Sequence, residues 1–428
     1  MIVRTLWANL AIQMITFATS VLTARILGPV GRGELALVLL YPQLVAGISF
    51  LGVDRAVAVL GGRGALARPI ATLMKLVLLL SFPAMALGYA TVTWRVADEH
   101  LSRLATMYLT YVPAVYFFMI VSYLFNGTGD FARFNVVRLG FYSVNFALLF
   151  TIWMIAPATS LDWVVLANLV SVYGGFALAV WLLRDFRYSS GSINGTEKMS
   201  DVNSVLCLAI IFAIPAALAQ FCGSIYQIIL EYKMGVLPLG LFVVCFSYSR
   251  ILSPAGGAIS THVFYHGIAG EDRDIARICR LSLIIFILCS FPIWVISWWL
   301  IPLIFGRDFV VDLWVIAFLL ISSTFSLLAD SMAEFLKGHK KVRADSLGRV
   351  IYLITVGLLG WWFVTLWGLI GMAFAIAFAD ILRYGYLVSH VRRFTGQFAY
   401  EFWKVSRSDI AMLIDRGRLV FVGALKWR

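Results

Sequence analysis

The sequence predicts an all-α integral membrane protein with 12 transmembrane helices in two parallel-repeat six-helix lobes. Three observations predict it. Of 428 residues, 61% are hydrophobic and 13% charged, roughly half the charged share of a soluble chain. The apolar residues gather in twelve runs, each near the roughly 20 residues that cross a bilayer. The two halves of the chain also share glycines and polar residues at a near-constant offset.

The runs lie at roughly 5–27, 35–60, 70–93, 104–126, 138–156, 162–183, 204–230, 237–263, 281–303, 310–335, 349–366 and 368–389. After Met1–Trp7 the first run continues with no small-residue cleavage site, so it reads as span 1 and not as a removed signal. Between spans 1 and 2 stands ARILGPVGRGELALV (24–38). It lacks the Lys-Ser/Thr ending of a nucleotide-binding loop and follows no strand. Its glycines and Pro29 are expected to turn the chain tightly. The longest internal connection, RDFRYSSGSINGTEKMSD (184–201), is polar and leaves six spans on either side. The expected organisation is an N-terminal lobe (1–183), a cytoplasmic linker (184–203), a C-terminal lobe (204–389) and a basic tail (390–428). The tail mixes basic and aromatic residues and reads as an anchor to the cytoplasmic leaflet.

The net charge of +12 follows from topology. With the N-terminus inside, 25 Lys and Arg fall on the cytoplasmic side, and six (Arg25, Arg32, Arg95, Arg103, Lys233, Arg307) fall outside. Positive loops stay in the cytoplasm, so both termini are expected there and no nucleic acid is implied. The five cysteines form no C-x-x-C pair, so neither a disulfide framework nor a zinc site is indicated. His262 and His266 have metal-ligand spacing but no third ligand, and read as interfacial residues. No nucleophile–base set or catalytic carboxylate pair is present. The chain reads as a non-enzyme without cofactors.

Shifting the chain by 207 residues brings Gly28 onto Gly235, Gly33 onto Gly240 and Gln13 onto Gln220; a shift of 211 brings Gly127 onto Gly338 and Arg138 onto Arg349. Each half has an even number of spans, so both insert the same way up. Such a repeat is related by an axis along the membrane normal.

Polar residues within spans cost insertion energy and cluster where a bundle interior or wet cavity receives them. Span 1 carries Asn9, Gln13, Thr16 and Ser20 at steps of four, three and four. Span 7 repeats the steps with Gln220, Ser224, Gln227 and Glu231. These stripes either glue helices together or line a water-filled cavity between the halves. Arg250 lies near the middle of span 8, as a buried ion pair or as a cation facing an anionic substrate. Asp54 and Arg55 end span 2 but point about 100° apart on a helix, which argues against mutual pairing. Arg25 and Arg55 read as snorkelling cations or cavity residues. In span 10, Asp330 is a candidate proton or sodium site, and Glu334 is capped by Lys337. Asp380 and Arg383 in span 12 read as an ion pair.

The stretch ARILGPVGRGELALVLLYPQLVAGISFLGVDRAV, the segment FNGTGDFARFNVVR and the six-plus-six plan resemble the polysaccharide biosynthesis proteins. These are the O-antigen and exopolysaccharide flippases of the multidrug/oligosaccharidyl-lipid/polysaccharide exporter superfamily. The sharpest motif is LGPVGRG, and the resemblance runs to about residue 395. It implies a MATE-like, V-shaped architecture with a central cationic cavity. It further implies alternating access that carries an undecaprenyl-diphosphate-linked oligosaccharide outward across the bacterial inner membrane, alongside a polysaccharide polymerase and chain-length machinery.

The residues fit that chemistry. Arginine forks onto diphosphates, so Arg25, Arg55 and Arg250 are candidates for that group. Asn9, Gln13, Gln220 and Gln227 are candidates for sugar hydroxyls. Asp330 and Glu231 are candidates for coupling to H+ or Na+. Two other functions compete. A cation-coupled multidrug exporter would use buried acids for its substrate, and a membrane glycan polymerase or ligase would want a sizeable outer loop.

Overall fold

The computed structural model describes residues 2–62, 69–155, 160–184, 186, 202–339 apart from 255, 258, 261, 262 and 264–274, and 341–396. The His262–His266 pair, nearly all of the linker and most of the tail lie outside the described residues. Among the described residues the secondary structure is helical, with no strand.

Among the described residues nine helices are long and apolar enough to cross a membrane, and a shorter apolar one covers Val236–Leu252. Two of the nine are double. Within the helix Ile2–Ser49, Gly28 has φ 66° and ψ −175°. Arg32 Nη2 donates to Ser20 Oγ at 3.4 Å across a separation of 12 residues. A straight helix would put them about 18 Å apart, so the chain doubles back at Gly28. Within Trp361–Thr395, Gly368 (φ 58°, ψ −131°) does the same. The rings of Phe363 and Phe374 lie 5.4 Å apart, against about 16 Å along a straight helix. Twelve membrane-crossing segments result.

The turn between spans 1 and 2 is tighter than expected. Only Gly28 has positive φ there. Pro29 opens the next helical arm, where its missing N–H is not needed. Span 2 breaks at Leu51 and Gly52 (φ 53° and 72°) before Val53–Gly62. Span 4 is built from Glu99–Tyr108 and Tyr111–Gly127, and span 11 passes through a π-turn at Val356–Gly360.

The repeat is visible in the backbone. Gly235, between Val202–Met234 and Val236–Ser249, has φ 82° and ψ −166°, close to the angles of Gly28. The next glycine in each half then packs on the other half. A Cβ at Gly33 would fall on the carbonyl of Val236, and a Cβ at Gly240 would fall on the carbonyl of Pro29. Pro29 and Val236 are themselves 207 apart, so each contact is the image of the other. That reciprocity is the signature of a two-fold relation. The hydrophobic cores interlock across it. Val205 and Ala209 of span 7 join the core built on Tyr116 and Phe125, while Ala24 and Ala36 join the core built on Phe242 and Phe305.

Candidate functional site

One membrane face carries Gly28, Gly235, Gly306 and Gly368; the opposite face carries both ends of the described chain. They are called here the Gly28 face and the termini face. At the interface between halves, Thr16, Gln43, Gly223 and Arg250 are all exposed, one each from spans 1, 2, 7 and 8. Thr16 and Gly223 lie 12 residues before the turning glycines, about 18 Å along the helix. Gln43 and Arg250 lie 15 residues after them, about 22 Å. In a hydrocarbon layer of about 30 Å all four sit well inside the membrane. Thr16 pairs with Gly223, and Gln43 with Arg250, under the 207-residue shift. The four exposed positions therefore form two symmetric pairs at mid-membrane depth.

The seams beside those pairs are not alike. Gln220 Nε2 donates to the carbonyl of Gln43 at 3.3 Å. A Cβ at Gly47 would strike the side chain of Gln220, and one at Gly52 would strike Phe212. Spans 2 and 7 are thus packed well toward the termini face. The symmetric partners are Gln13 and the carbonyl of Arg250. Among the described residues Gln13 makes no hydrogen bond. Trp7 and Met14 beside Gln13 are 67% and 66% exposed. The seam between spans 1 and 8 thus lacks the counterpart of the bond that joins spans 2 and 7.

Arg250 caps Val236–Ser249 at the point where the helix tightens into a 3-10 turn. Its guanidinium lies 4.6 Å from the ring centre of Phe246, and among the described residues it makes no ion pair. It borders a small polar pocket with Ser249, Ser253, Ser322, Ser323 and Asp330. The other candidates distribute by depth. Asn9 Oδ1 accepts from Arg138 Nη1 at 3.0 Å, with that guanidinium 4.9 Å over Phe134. Arg55 ends span 2 toward the termini face, 5.9 Å over Tyr123. Its Nε does reach Asp54, at 3.9 Å, because the long stem folds back along the helix. Gln227 Nε2 donates to the Tyr226 hydroxyl at 2.9 Å, a turn closer to the Gly28 face.

Arg25 and Glu231 stand apart from those pairs and tie the halves together at the Gly28 face. Arg25 donates from Nε to the carbonyl of Ile304 (2.7 Å) and from Nη2 to that of Leu303 (2.6 Å). A cation on the last carbonyls of a helix is favourable. Glu231 Oε2 accepts from the Tyr41 hydroxyl at 3.4 Å and lies 4.0 Å from Arg95 Nη2. Gln43, Arg138, Tyr41 and Arg95 were not singled out for the site from sequence. Gln43 could have been, because the 207-residue shift places it on Arg250.

Span 12 departs from expectation. Arg383 pairs with Asp330 Oδ1 at 2.8 Å and with Asp345 Oδ1 at 3.3 Å, not with Asp380. Asp380 accepts instead from Ser322 Oγ at 2.7 Å. Spacing within one helix gave the wrong partner because spans 10 and 11 bring two carboxylates to the same guanidinium. Lys337 bonds Glu334 at 2.8 Å, as expected, and also reaches Asp345 at 3.2 Å. Replacing Arg383 with leucine leaves buried Asp345 short of a partner. Lys337 and Arg349 still face Asp345, so the expected cost stays below the about 3–5 kcal/mol of a fully orphaned buried charge, read as a lowered thermal transition of the purified protein, while Arg383→Lys loses less.

The overall arrangement matches known structures along nearly its whole length. An inward-facing multidrug resistance MATE family transporter of the MOP superfamily superposes with a TM-score of 0.69 at 15% identity, covering 91% of this chain and 98% of that one. The fold is that of the MATE transporters. The lipid II flippase MurJ in an inward closed conformation shares it, with a TM-score of 0.65 at 13% identity, covering 95% and 90%. An outward-facing MATE family transporter gives 0.66 at 15% identity, covering 92% and 96%. No family model and no curated protein sequence matches the chain. The protein is a multi-pass, MATE-like membrane protein.

Proposed function

We infer that the chain is a flippase that moves a polyprenyl-diphosphate-linked oligosaccharide, with undecaprenyl as the lipid, by alternating access. It works in the bacterial inner membrane with both termini cytoplasmic, and serves export of O-antigen, capsule or exopolysaccharide. The observation that carries this reading is an exposed arginine at mid-membrane depth, free of any ion pair among the described residues, with the amide of Gln43 at the symmetric position of the other half; in this reading they line a vestibule with one lateral seam open. A diphosphate suits the guanidinium fork, sugar hydroxyls suit Gln13, Gln43 and Gln220, and the lipid tail stays in the bilayer through the open seam. The halves pack closely at the Gly28 face through Gly33 and Gly240; with the termini cytoplasmic, as proposed, cargo enters from the cytoplasmic leaflet. Relatives in fold include a protein named as a lipid II flippase, which supports a lipid-linked cargo.

The acids of the second half favour a different reading less. A cation-coupled drug exporter needs a carboxylate to give to its cargo or ion. Here Asp330, Asp345 and Glu334 already face Arg383, Arg349 and Lys337, and Asp380, an acid with no ion pair among the described residues, is buried against Ser322. Asp330 and Glu231 remain our candidates if H+ or Na+ drives the cycle, and a polymerase with its chain-length partner would receive the product. The test uses proteoliposomes holding a fluorescent undecaprenyl-diphosphate oligosaccharide. Wild-type protein should make inner-leaflet label accessible to an external quencher or hydrolase. Ion-driven movement of a cationic dye without lipid movement would replace this reading with the exporter.

A further inference from the structure

The Gly28 face holds a cavity of about 620 Å³ that the vestibule does not use. Its walls come from both halves: Arg25 of span 1, Trp153 of span 5, Trp299 and Pro302 of span 9, and Arg307 and Asp308 just beyond it. The size falls within the roughly 300–1,000 Å³ of small-molecule sites. Arg25 spends Nε and Nη2 on the carbonyls of Ile304 and Leu303. A guanidinium has five N–H donors, so both hydrogens of Nη1 remain for a ligand. Against Asp308 the two guanidinium groups leave the cavity net positive. Tryptophans at such a depth mark the headgroup level of a bilayer.

The repeat supplies an internal comparison. Under the same shift Arg25 falls on Tyr232, Trp153 lies one residue off Trp361, and Trp299 lies within two residues of Trp94. At this second place the corresponding side chains pack on one another. Tyr232 stacks on Trp361 with ring centres 5.3 Å apart, and Lys233 Nζ stands 3.9 Å over the Trp361 ring. Arg95 covers Trp94 and Tyr232 at 5.6 and 5.8 Å. In one seam a cation already sits on the tryptophan; in the other the aromatic walls and cations stand around open space.

We propose that the cavity between spans 1, 5 and 9 binds an anionic phospholipid of the leaflet on the Gly28 face. The phosphate lies between Arg25 Nη1 and Arg307, and the acyl chains lie along Trp153 and Trp299. Because the walls belong to both halves, the bound lipid favours the state in which this face is shut.

The purified protein, titrated in neutral detergent with phosphatidylglycerol, phosphatidylcholine or glycerol phosphate, tests this by native mass spectrometry and thermal unfolding. Wild type should retain one phosphatidylglycerol tightly and be stabilised by it, with little response to the other two. Arg307→Gln and Trp299→Ala change exposed side chains outside the vestibule. Each should fold and weaken that binding about tenfold or more, the loss of one charge-assisted or aromatic contact. Lys233→Gln, in the packed seam, should leave it unchanged. Equal retention in wild type and both variants would overturn the proposal, as would equal stabilisation by phosphatidylcholine or by glycerol phosphate. If a variant fails to fold, the wild-type preference among the three ligands still decides.

Discussion

Arg250→Ala is expected to lose at least about tenfold, and close to a hundredfold, of the initial rate of lipid-linked oligosaccharide movement. A hydrogen bond to a charged group contributes about 1.5–3 kcal/mol, and a guanidinium can place two on one diphosphate. Arg250→Lys keeps the charge without the fork, so it should fall between alanine and wild type. The side chain is exposed and makes no ion pair among the described residues, so neither variant should change the thermal transition much. That separates a role in cargo binding from a role in packing. A normal rate in Arg250→Ala, at equal insertion, would remove Arg250 from the mechanism. A loss of thermal stability matching the loss of rate would make it a structural residue.

The second large effect is expected from Gly33→Ala and Gly240→Ala. Each places a methyl group on a carbonyl of the opposite half, Val236 in one case and Pro29 in the other. Backbone cannot yield as a side chain tip does, so the halves must part at the Gly28 face. Overpacking costs about 1–3 kcal/mol. The cost falls on the state shut at this face and not on a state open there. It therefore acts as a shift of roughly 5- to 150-fold in their ratio. Both variants should lose most transport while staying folded, and should behave alike because the two contacts are symmetric. Spin labels placed across the Gly28 face should move apart in either. An effect confined to one of the two would show that the reciprocity is geometric only and without energetic weight.

Much of this was legible in the sequence because its causes are local. Hydropathy over 20 residues marks a span, and Gly28 and Gly235 are glycines because their φ angles are positive. Gly33 and Gly240 were legible as a match but not as a contact. Nothing in LGPVGRGELALV says which glycine turns and which lets another backbone approach. The site was legible to the extent that the repeat was applied consistently. Arg250 stood out by its charge, whereas Gln43 at the equivalent position did not. What failed was pairing across spans. Asp380 and Arg383 sit at ion-pair spacing, yet Ser322, Asp330 and Asp345 decide their bonds, and these meet only once three helices pack. Arg25 and Glu231 have the residue types of a cavity, but the packing of spans 2, 3 and 9 enlists them at the Gly28 face.

The proposed transport needs a wet vestibule between the two symmetric halves, shut at the Gly28 face and reached from the termini face. Single cysteines in a cysteine-free background test it most directly, through Thr16→Cys, Gln43→Cys and Gly223→Cys reacted with a membrane-impermeant maleimide from each side. Labelling of all three from the termini side, with little from the Gly28 side until Gly33→Ala is added, is the predicted result. Labelling from neither side would place these positions in lipid or dry packing and contradict the account.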